Sequence, residues 1–413
     1  MPAVGLRVNT VERPQAGRRL RAAVTTHVAL PGSSLRHPIG TFVTNFRRDQ
    51  RKGAAALFDP RWSQLGEILV NYSTRIRAGD RLLIAMTEPE SFPLTLAVYE
   101  QAVRAGAFPQ VQFASAHLER ALLRFGNEEM IARVPDLERA GMEWADAYIG
   151  LRGARNPHEM AGIPAERLAA HKRALGEISA LRNQQTRWVL VRVPNESFAQ
   201  AAGMSLEETM AFFFEVTLRD WEEESRRYHG LRDVFQATQQ VRVTGRGTDL
   251  TFSTAGRTYV VGDGHINMPD GELYTAPVDD SAQGAIAFEF PARYAGQSIA
   301  GIRLEFRDGE VVNATADSGE AFLHQILAID NGARRIGEFG VGVNFGIDRF
   351  VGDVLFDEKI GGTVHLALGR AYAECGGINQ SALHWDIVKD LRTEGAIELD
   401  GRRVFENGRF LID

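Results

Sequence analysis

Cysteine is almost absent from this sequence of 413 residues, in which Cys375 stands alone. One thiol excludes an intrachain disulfide and any zinc site built from several thiolates. A bound metal ion would therefore need nitrogen and oxygen ligands. Because a chain without disulfides fits a reducing compartment, we expect a cytoplasmic protein.

Long apolar runs and a surplus of one charge are also missing. No apolar run approaches the roughly 18 residues that a membrane-spanning helix needs, and the run 22–30 is too interrupted by polar residues for a secretory signal. The formal net charge is −6, and the lysines and arginines are dispersed, which leaves no basic stripe for nucleic acid. With 44% apolar and 24% charged residues, the sequence predicts a soluble globular protein without nucleic-acid or membrane partners.

The start of the chain differs from the rest in charge. It carries ten lysines and arginines between Arg7 and Lys52, against two acidic residues, Glu12 and Asp49. We interpret residues 1–55 as a basic N-terminal extension and assign it no function. The remaining chain exceeds the size at which one apolar core keeps growing, so we expect two domains, over residues 56–240 and 241–413.

The first of these regions has the pattern of an α/β domain. Apolar residues at helical spacing between positions 65 and 72 precede an apolar run at 81–86, and a helix at 93–105 precedes a second apolar run at 109–113. Such alternation of helices and buried strands predicts a parallel sheet. Residues 87–90 read Thr-Glu-Pro-Glu where a nucleotide-binding protein has glycines, so we predict no dinucleotide site.

The sequence pattern changes from about residue 241, where apolar and polar residues alternate with period two. Segments 241–244, 286–290 and 302–306 are predicted strands, and the Asp-Gly pairs at 308–309 and 400–401 are predicted hairpin turns. We expect a mainly antiparallel, β-rich (α+β) domain.

Four segments of this β-rich region concentrate residues that bind metal ions. Each residue has a common alternative when viewed alone: an acid at a turn, such as Glu272, is usually solvated, and a core imidazole, such as His365, usually bonds a backbone carbonyl. Three glycines surround Glu338 and leave room for a close partner. His384 and Asp386 lie two residues apart, so a strand directs both to one face.

Together the candidates supply four carboxylates and two imidazoles within one predicted domain. They are Glu272, Glu338, Glu358, His365, His384 and Asp386. This set suits two divalent ions such as Zn(II), Co(II) or Mn(II), with a carboxylate between them, as in two-metal hydrolases. Such ions polarise a scissile carbonyl and activate water. Tyr372, seven residues after His365, is a candidate hydrogen-bond donor to the oxyanion.

These segments resemble those of the thermophilic-type metalloaminopeptidases, the family of aminopeptidases T and S. The similarity covers roughly residues 56–413 and is most specific at 337–340 (Gly-Glu-Phe-Gly) and at 357–372. It implies removal of N-terminal residues from peptides by a homodimer whose sites face an internal cavity. It also implies two Zn or Co ions on the six candidate ligands, with Tyr372 as the active-site tyrosine.

The resemblance leaves the exact role of Glu358 open. The spacer 359–364, between Glu358 and His365, is longer than in some family members. Glu358 is therefore a candidate ligand, a candidate general base alongside the catalytic Glu338, or a residue that supports the ligands.

Two other functions fit parts of the same pattern. A distant branch with this fold resembles the mononuclear Fe(II) dihydroxypyridine dioxygenases, which cleave a ring and need only a triad such as His365, His384 and Asp386. Glu338 and Glu358 argue against that chemistry because a single iron has no use for them. A non-catalytic dimeric peptide-binding scaffold would be expected to lack a ligand, whereas every ligand type is present.

Overall fold

A computed structural model describes residues 59–412, and the basic extension interpreted at residues 1–55 lies outside this range. The described helices, α1 to α11, are Arg61–Glu67, Phe92–Arg104, Ala116–Phe125, Glu128–Ala132, Asp136–Trp144, Ala165–Gln185, Glu196–Ala202, Leu206–Thr217, Trp221–Gln236, Glu320–Leu327 and Val354–Asp357. A π-helical segment, Ile68–Ser73, continues α1. Across the described residues, every helix is too short or too polar to cross a membrane.

The strands precede, separate and follow these helices. In chain order, β1 to β20 are Arg81–Thr87, Phe108–Ala114, Ala147–Arg152, Arg187–Arg192, Gln240–Gly245, Thr248–Ser253, Val260–Gly262, Asn267–Met268, Glu272–Thr275, Gln283–Ala287, Ala292–Tyr294, Gln297–Ile299, Arg303–Arg307, Glu310–Thr315, Ile336–Gly342, Thr363–Gly369, His384–Asp390, Ala396–Leu399, Arg402–Glu406 and Arg409–Phe410.

The N-terminal part of the described chain is built on a parallel sheet with strand order β2-β1-β3-β4-β8. All of its strand pairs are parallel, which confirms the predicted α/β architecture. Helix α5 ends at Trp144, and strand β3 begins three residues later, at Ala147. The short strand β8 comes from beyond residue 240 and joins the parallel sheet at β4.

The C-terminal part is antiparallel, as predicted. An outer sheet has the order β14-β13-β10-β6-β5-β18-β19-β20, and a second sheet, called the ligand sheet below, has the order β17-β16-β15-β9-β7. Both predicted Asp-Gly turns are present. Asp308 and Gly309 have φ values of 50° and 77°, and Asp400 and Gly401 have 48° and 80°. Positive φ at both central residues is what a tight type I′ hairpin requires.

The ligand sheet lies inside the molecule. Every residue of β15 and β16 is buried, and Phe339 of β15 packs edge-on against Phe252 of the outer sheet, with 4.8 Å between ring centroids. One cluster of buried apolar residues extends from the parallel sheet through both antiparallel sheets. The division into domains at residues 240/241 therefore stays a prediction.

A capping box at Ser205 begins helix α8. Ser205 Oγ accepts a hydrogen bond from Glu208 N at 3.2 Å, and Glu208 Oε2 accepts one from Ser205 N at 2.9 Å. The helix buries Phe213 and Phe214 in the core beside Trp62. The cap thus fixes the start of a helix whose apolar face packs against Trp62 in the core.

We predict that Ser205→Ala lowers the free energy of unfolding by about 1 kcal/mol, because the Glu208 amide loses the Ser205 hydroxyl that accepts its hydrogen bond. Urea denaturation followed by circular dichroism measures the change. Ser205→Asp, which keeps an acceptor at the cap, is expected to retain most of the stability. Equal urea midpoints for wild type and Ser205→Ala would contradict the prediction.

Candidate metal centre

Adjacent strands of the ligand sheet carry five of the six candidate ligands, and the sixth follows a helix. Glu272 is the first residue of β9, as the turn before it predicted. The other strand positions are Glu338 on β15, His365 on β16, and His384 and Asp386 on β17. Glu358 directly follows α11. The structure therefore brings all six together.

Glycine 340 makes room for an imidazole on the neighbouring strand. Gly340 and His365 are register partners, and a Cβ atom at position 340 would overlap the His365 ring. The glycines around Glu338 predicted a crowded partner, and the structure identifies that partner as His365. A register shift between Ile336 and Glu338 interrupts the ladder beside the carboxylate, and such bulges re-aim a side chain.

The two carboxylate oxygens of Glu338 face different imidazoles. Oε1 lies 3.4 Å from His365 Nε2, and Oε2 lies 3.4 Å from His384 Nε2. Glu272 Oε2 is 3.5 Å from His365 Nε2, and Asp386 Oδ2 is 3.7 Å from His384 Nε2. Two three-residue clusters therefore share Glu338, and ligand atoms within each lie within 4.8 Å of one another. A third such cluster joins Glu358 to His365 and Asp386.

Backbone carbonyls orient both imidazoles. His365 Nδ1 donates to the Glu358 carbonyl at 3.1 Å, and His384 Nδ1 donates to the Arg370 carbonyl at 2.8 Å. A proton fixed on Nδ1 leaves Nε2 as the metal-binding nitrogen. Each Nε2 points into the carboxylate cluster. A core histidine usually bonds a backbone carbonyl, and His365 does so through Nδ1. Its other ring nitrogen, Nε2, faces the carboxylates instead.

An unsatisfied oxygen tests whether the residues fit a metal ion. Glu272 Oε2 is buried and has no hydrogen-bond partner among residues 59–412. A buried carboxylate oxygen without a donor is costly, and a cation beside it removes that cost. Nitrogen and oxygen donors of this kind suit Zn(II), Co(II) and Mn(II). The donor set and the free oxygen both fit divalent ions.

The carboxylates of the cluster favour the protonated form of both imidazoles. Burial raises the pKa of Glu272 to about 8 and that of Asp386 to about 6. Burial also acts to raise the pKa of Glu338, but hydrogen bonds with His365 and His384 outweigh it and lower the pKa to about 2. For both histidines burial favours a lower pKa, yet the bond to Glu338 raises each pKa to about 9. Metal binding must therefore displace imidazole protons.

Tyr372 borders the centre on the His384 side. Its hydroxyl oxygen lies 3.4 Å from His384 Nε2, and its ring meets Tyr274 edge-on with 5.7 Å between centroids. Burial, reinforced by the surrounding carboxylates, raises the pKa of Tyr372 above its usual range. The phenol therefore keeps its proton at neutral pH and is a hydrogen-bond donor beside the cluster.

Lys359 was not among the predicted site residues, yet it reaches the same cluster. Its side chain has no solvent exposure, and its ammonium group contacts Glu358 Oε1 and lies 3.3 Å from Glu272 Oε1. In the sequence, Lys359 ends an Asp-Glu-Lys triplet that looks like an ordinary charged turn. No local pattern signals that the triplet is folded inside.

The sequence profile of the thermophilic metalloprotease family, M29, matches residues 58–410. This chain belongs to the thermophilic metalloprotease family. The resemblance inferred from the sequence segments is therefore confirmed.

Relatives of this M29 metalloprotease align over nearly their whole length. Aminopeptidase PepS of Streptococcus thermophilus is 26% identical over 414 residues, with 86% of this chain and 99% of that protein covered. Aminopeptidase T of Thermus aquaticus is also 26% identical, over 419 residues, with the same coverage of 86% and 99%.

Two solved structures share the fold of this M29 metalloprotease. Wild-type AmpT from Thermus thermophilus has a TM-score of 0.75 at 24% identity, with 85% of this chain and 99% of that chain covered. The 2,5-dihydroxypyridine dioxygenase of Pseudomonas putida KT2440 has a TM-score of 0.57 at 18% identity, with 85% and 97% covered. The fold alone is thus common to AmpT and to a dioxygenase, and the match to the metalloprotease family profile identifies the family of this chain.

We predict that Gly340→Ala weakens metal binding by the M29 metalloprotease at least tenfold, because the new methyl group displaces the His365 ring. Metal analysis after dialysis against a weak chelator measures the loss. Gly176→Ala is the matched control, since a Cβ atom there meets no described atom within 4 Å. Full metal retention in Gly340→Ala would contradict the placement of His365.

Proposed function

We propose that this M29 metalloprotease is an aminopeptidase whose centre holds two divalent ions, with Glu338 between them. The observation that carries the proposal is the division of the Glu338 oxygens between His365 and His384. A carboxylate shared in this way is what a two-metal hydrolase needs to hold its ions at a short, fixed separation. The relatives' names, aminopeptidase PepS and aminopeptidase T, supply the reaction class.

The two clusters assign the proposed ligands. Glu272, Glu338 and His365 would hold one ion, and Glu338, His384 and Asp386 would hold the other. Bound Zn(II), Co(II) or Mn(II) would polarise the scissile carbonyl and make water acidic enough to attack it near neutral pH.

Two further side chains are placed to handle protons. Glu358 lies within 4.8 Å of the ligand atoms of His365 and Asp386, where its carboxylate can accept a proton from the attacking water. The protonated Tyr372 hydroxyl, next to His384, can donate a hydrogen bond to the carbonyl oxygen as negative charge develops on it. Glu338, Glu358 and Tyr372 are therefore the proposed catalytic residues.

The buried carboxylates argue against the alternative functions. A mononuclear iron on His365, His384 and Asp386 has no use for further carboxylates, whereas Glu272, Glu338 and Glu358 all lie in clusters with these residues. A peptide-binding scaffold has no need for a complete ligand set in a buried position. The two-metal hydrolase uses every member of the cluster.

A cavity of about 230 Å³ adjoins the centre. His384 and Asp386 form one wall, and the rest of the lining includes the apolar side chains of Tyr294, Phe350 and Val354. We propose that this cavity receives the side chain of the substrate's N-terminal residue. Arg293 and Asp357 also line the cavity, but most of its other lining residues are apolar, and this part of the lining favours an apolar substrate side chain.

Assembly and location are part of the same proposal. We propose a homodimer, as the family resemblance implies, and a cytoplasmic location. The single cysteine, Cys375, supports the second point because a chain that cannot form an intrachain disulfide fits a reducing compartment.

We predict that Glu338→Gln abolishes hydrolysis, with at least about a 100-fold loss, because the shared ligand loses its charge. The measurement combines metal content with release of p-nitroaniline from Leu-, Phe- and Arg-p-nitroanilides, before chelation and after addition of Co(II) or Zn(II). Glu305→Gln, on the outer sheet, is the control and is expected to behave as wild type.

Wild-type protein with two ions per chain and metal-restored release would support the aminopeptidase. A normal rate for Glu338→Gln would contradict the bridging assignment. One iron per chain with no release would favour the oxygenase.

We predict that Val354→Trp lowers kcat/KM for Leu- and Phe-p-nitroanilide at least tenfold more than for Ala-p-nitroanilide, because the indole fills the cavity. Val312→Trp is the matched control: Val312 is 46% exposed on β14, and Val354 is 47% exposed. Equal losses on all three substrates would contradict the placement of the substrate side chain in this cavity.

A further inference from the structure

Lys359 brings a permanent positive charge into the proposed metal centre. Its side chain is fully buried, and its neighbours are the carboxylates of Glu272 and Glu358. Burial acts to lower the pKa of Lys359, but Glu272, Glu358 and Asp270 outweigh it and raise the pKa above the usual range. A buried ammonium is costly unless it is paired, so the fold requires these contacts between Lys359 and the two carboxylates.

The ammonium engages only one side of Glu272. It lies 3.3 Å from Oε1, whereas Oε2 faces His365 Nε2 at 3.5 Å and has no hydrogen-bond partner in the described part of the chain. Lys359 thus holds the Glu272 carboxylate through Oε1, and the free oxygen, Oε2, is directed toward His365 Nε2. Groups that hold the outer atom of a metal ligand in this way orient the ligand and tune its affinity.

We propose that Lys359 is a positioning residue that aims Glu272 at the ion beside His365. The inference rests on the proposed two-metal function and adds a residue to it. Lys359 contacts no substrate. Its effect on the second ion, on the His384 and Asp386 side, is expected to be small because the described ammonium contacts do not include either of those side chains.

A second buried lysine provides a matched control. Lys389 is equally inaccessible, and its ammonium donates to the Arg246 carbonyl at 3.0 Å and to Glu289 Oε1 at 2.5 Å. None of these partners is a candidate ligand. Lys359→Met and Lys389→Met therefore each remove one buried ammonium group. Only Lys359→Met removes an ammonium group that contacts a proposed metal ligand.

The experiment is a Co(II) titration of metal-free wild type, Lys359→Met and Lys389→Met, followed by visible absorption and calorimetry. Wild type is expected to bind two ions. Lys359→Met is expected to bind one ion normally and the other 10- to 100-fold more weakly. Lys389→Met is expected to melt at a lower temperature but to bind both ions as wild type does.

Three results would overturn the inference. They are unchanged or tighter binding of both ions by Lys359→Met, equal weakening of both ions, and the same loss in Lys389→Met as in Lys359→Met. These three results would leave the proposed function standing. Wild type that binds fewer than two ions would instead overturn the proposed function and the inference together.

A double-mutant comparison keeps the test decisive if Lys359→Met alone does not fold. Glu272→Gln is expected to weaken the same ion, and Glu272→Gln/Lys359→Met is expected to bind Co(II) no more than twofold more weakly than Glu272→Gln. The reason is that Lys359 reaches the proposed ligands of this ion only through Glu272, since its other carboxylate partner, Glu358, is proposed as the proton acceptor. A further tenfold loss in the double variant would overturn the positioning role.

Discussion

The sharing of Glu338 between two imidazoles is the interaction on which the rest of the site depends. Three antiparallel strands must lie in one register for His365 and His384 to reach opposite oxygens of this one carboxylate. Burial of both central strands removes the water that would otherwise weaken these contacts. The outer sheet and the helices provide that burial, so the apolar core and the metal chemistry have the same structural requirement.

Much of this arrangement is local and could be predicted from the sequence. His384 and Asp386 reach one face because a strand alternates, and the Ser205 cap and both Asp-Gly turns follow from short-range backbone chemistry. Family segments identified the remaining ligands. What could not be predicted depends on long-range contacts. The role of Gly340 is defined by an imidazole 25 positions along the chain, and Lys359 becomes a site residue only because its turn is folded inward.

The charges of the centre also indicate which ions it suits. Two imidazoles and a buried lysine lie among its carboxylates, and one Glu272 oxygen has no hydrogen-bond partner within residues 59–412. Proteins rarely keep a buried acidic group in that condition unless a cation or a reaction uses it. The same carboxylates that attract the imidazoles and the lysine therefore suit divalent cations.

The division of ligands between strands and a loop has a consequence for how such a site tolerates changes of length. A one-residue insertion in β15, β16 or β17 would turn a ligand to the opposite face of the sheet. Residues 359–362 lie between helix α11 and strand β16, so insertion there leaves the strand register intact. The long spacer before His365 is thus compatible with an undisturbed pair of histidines.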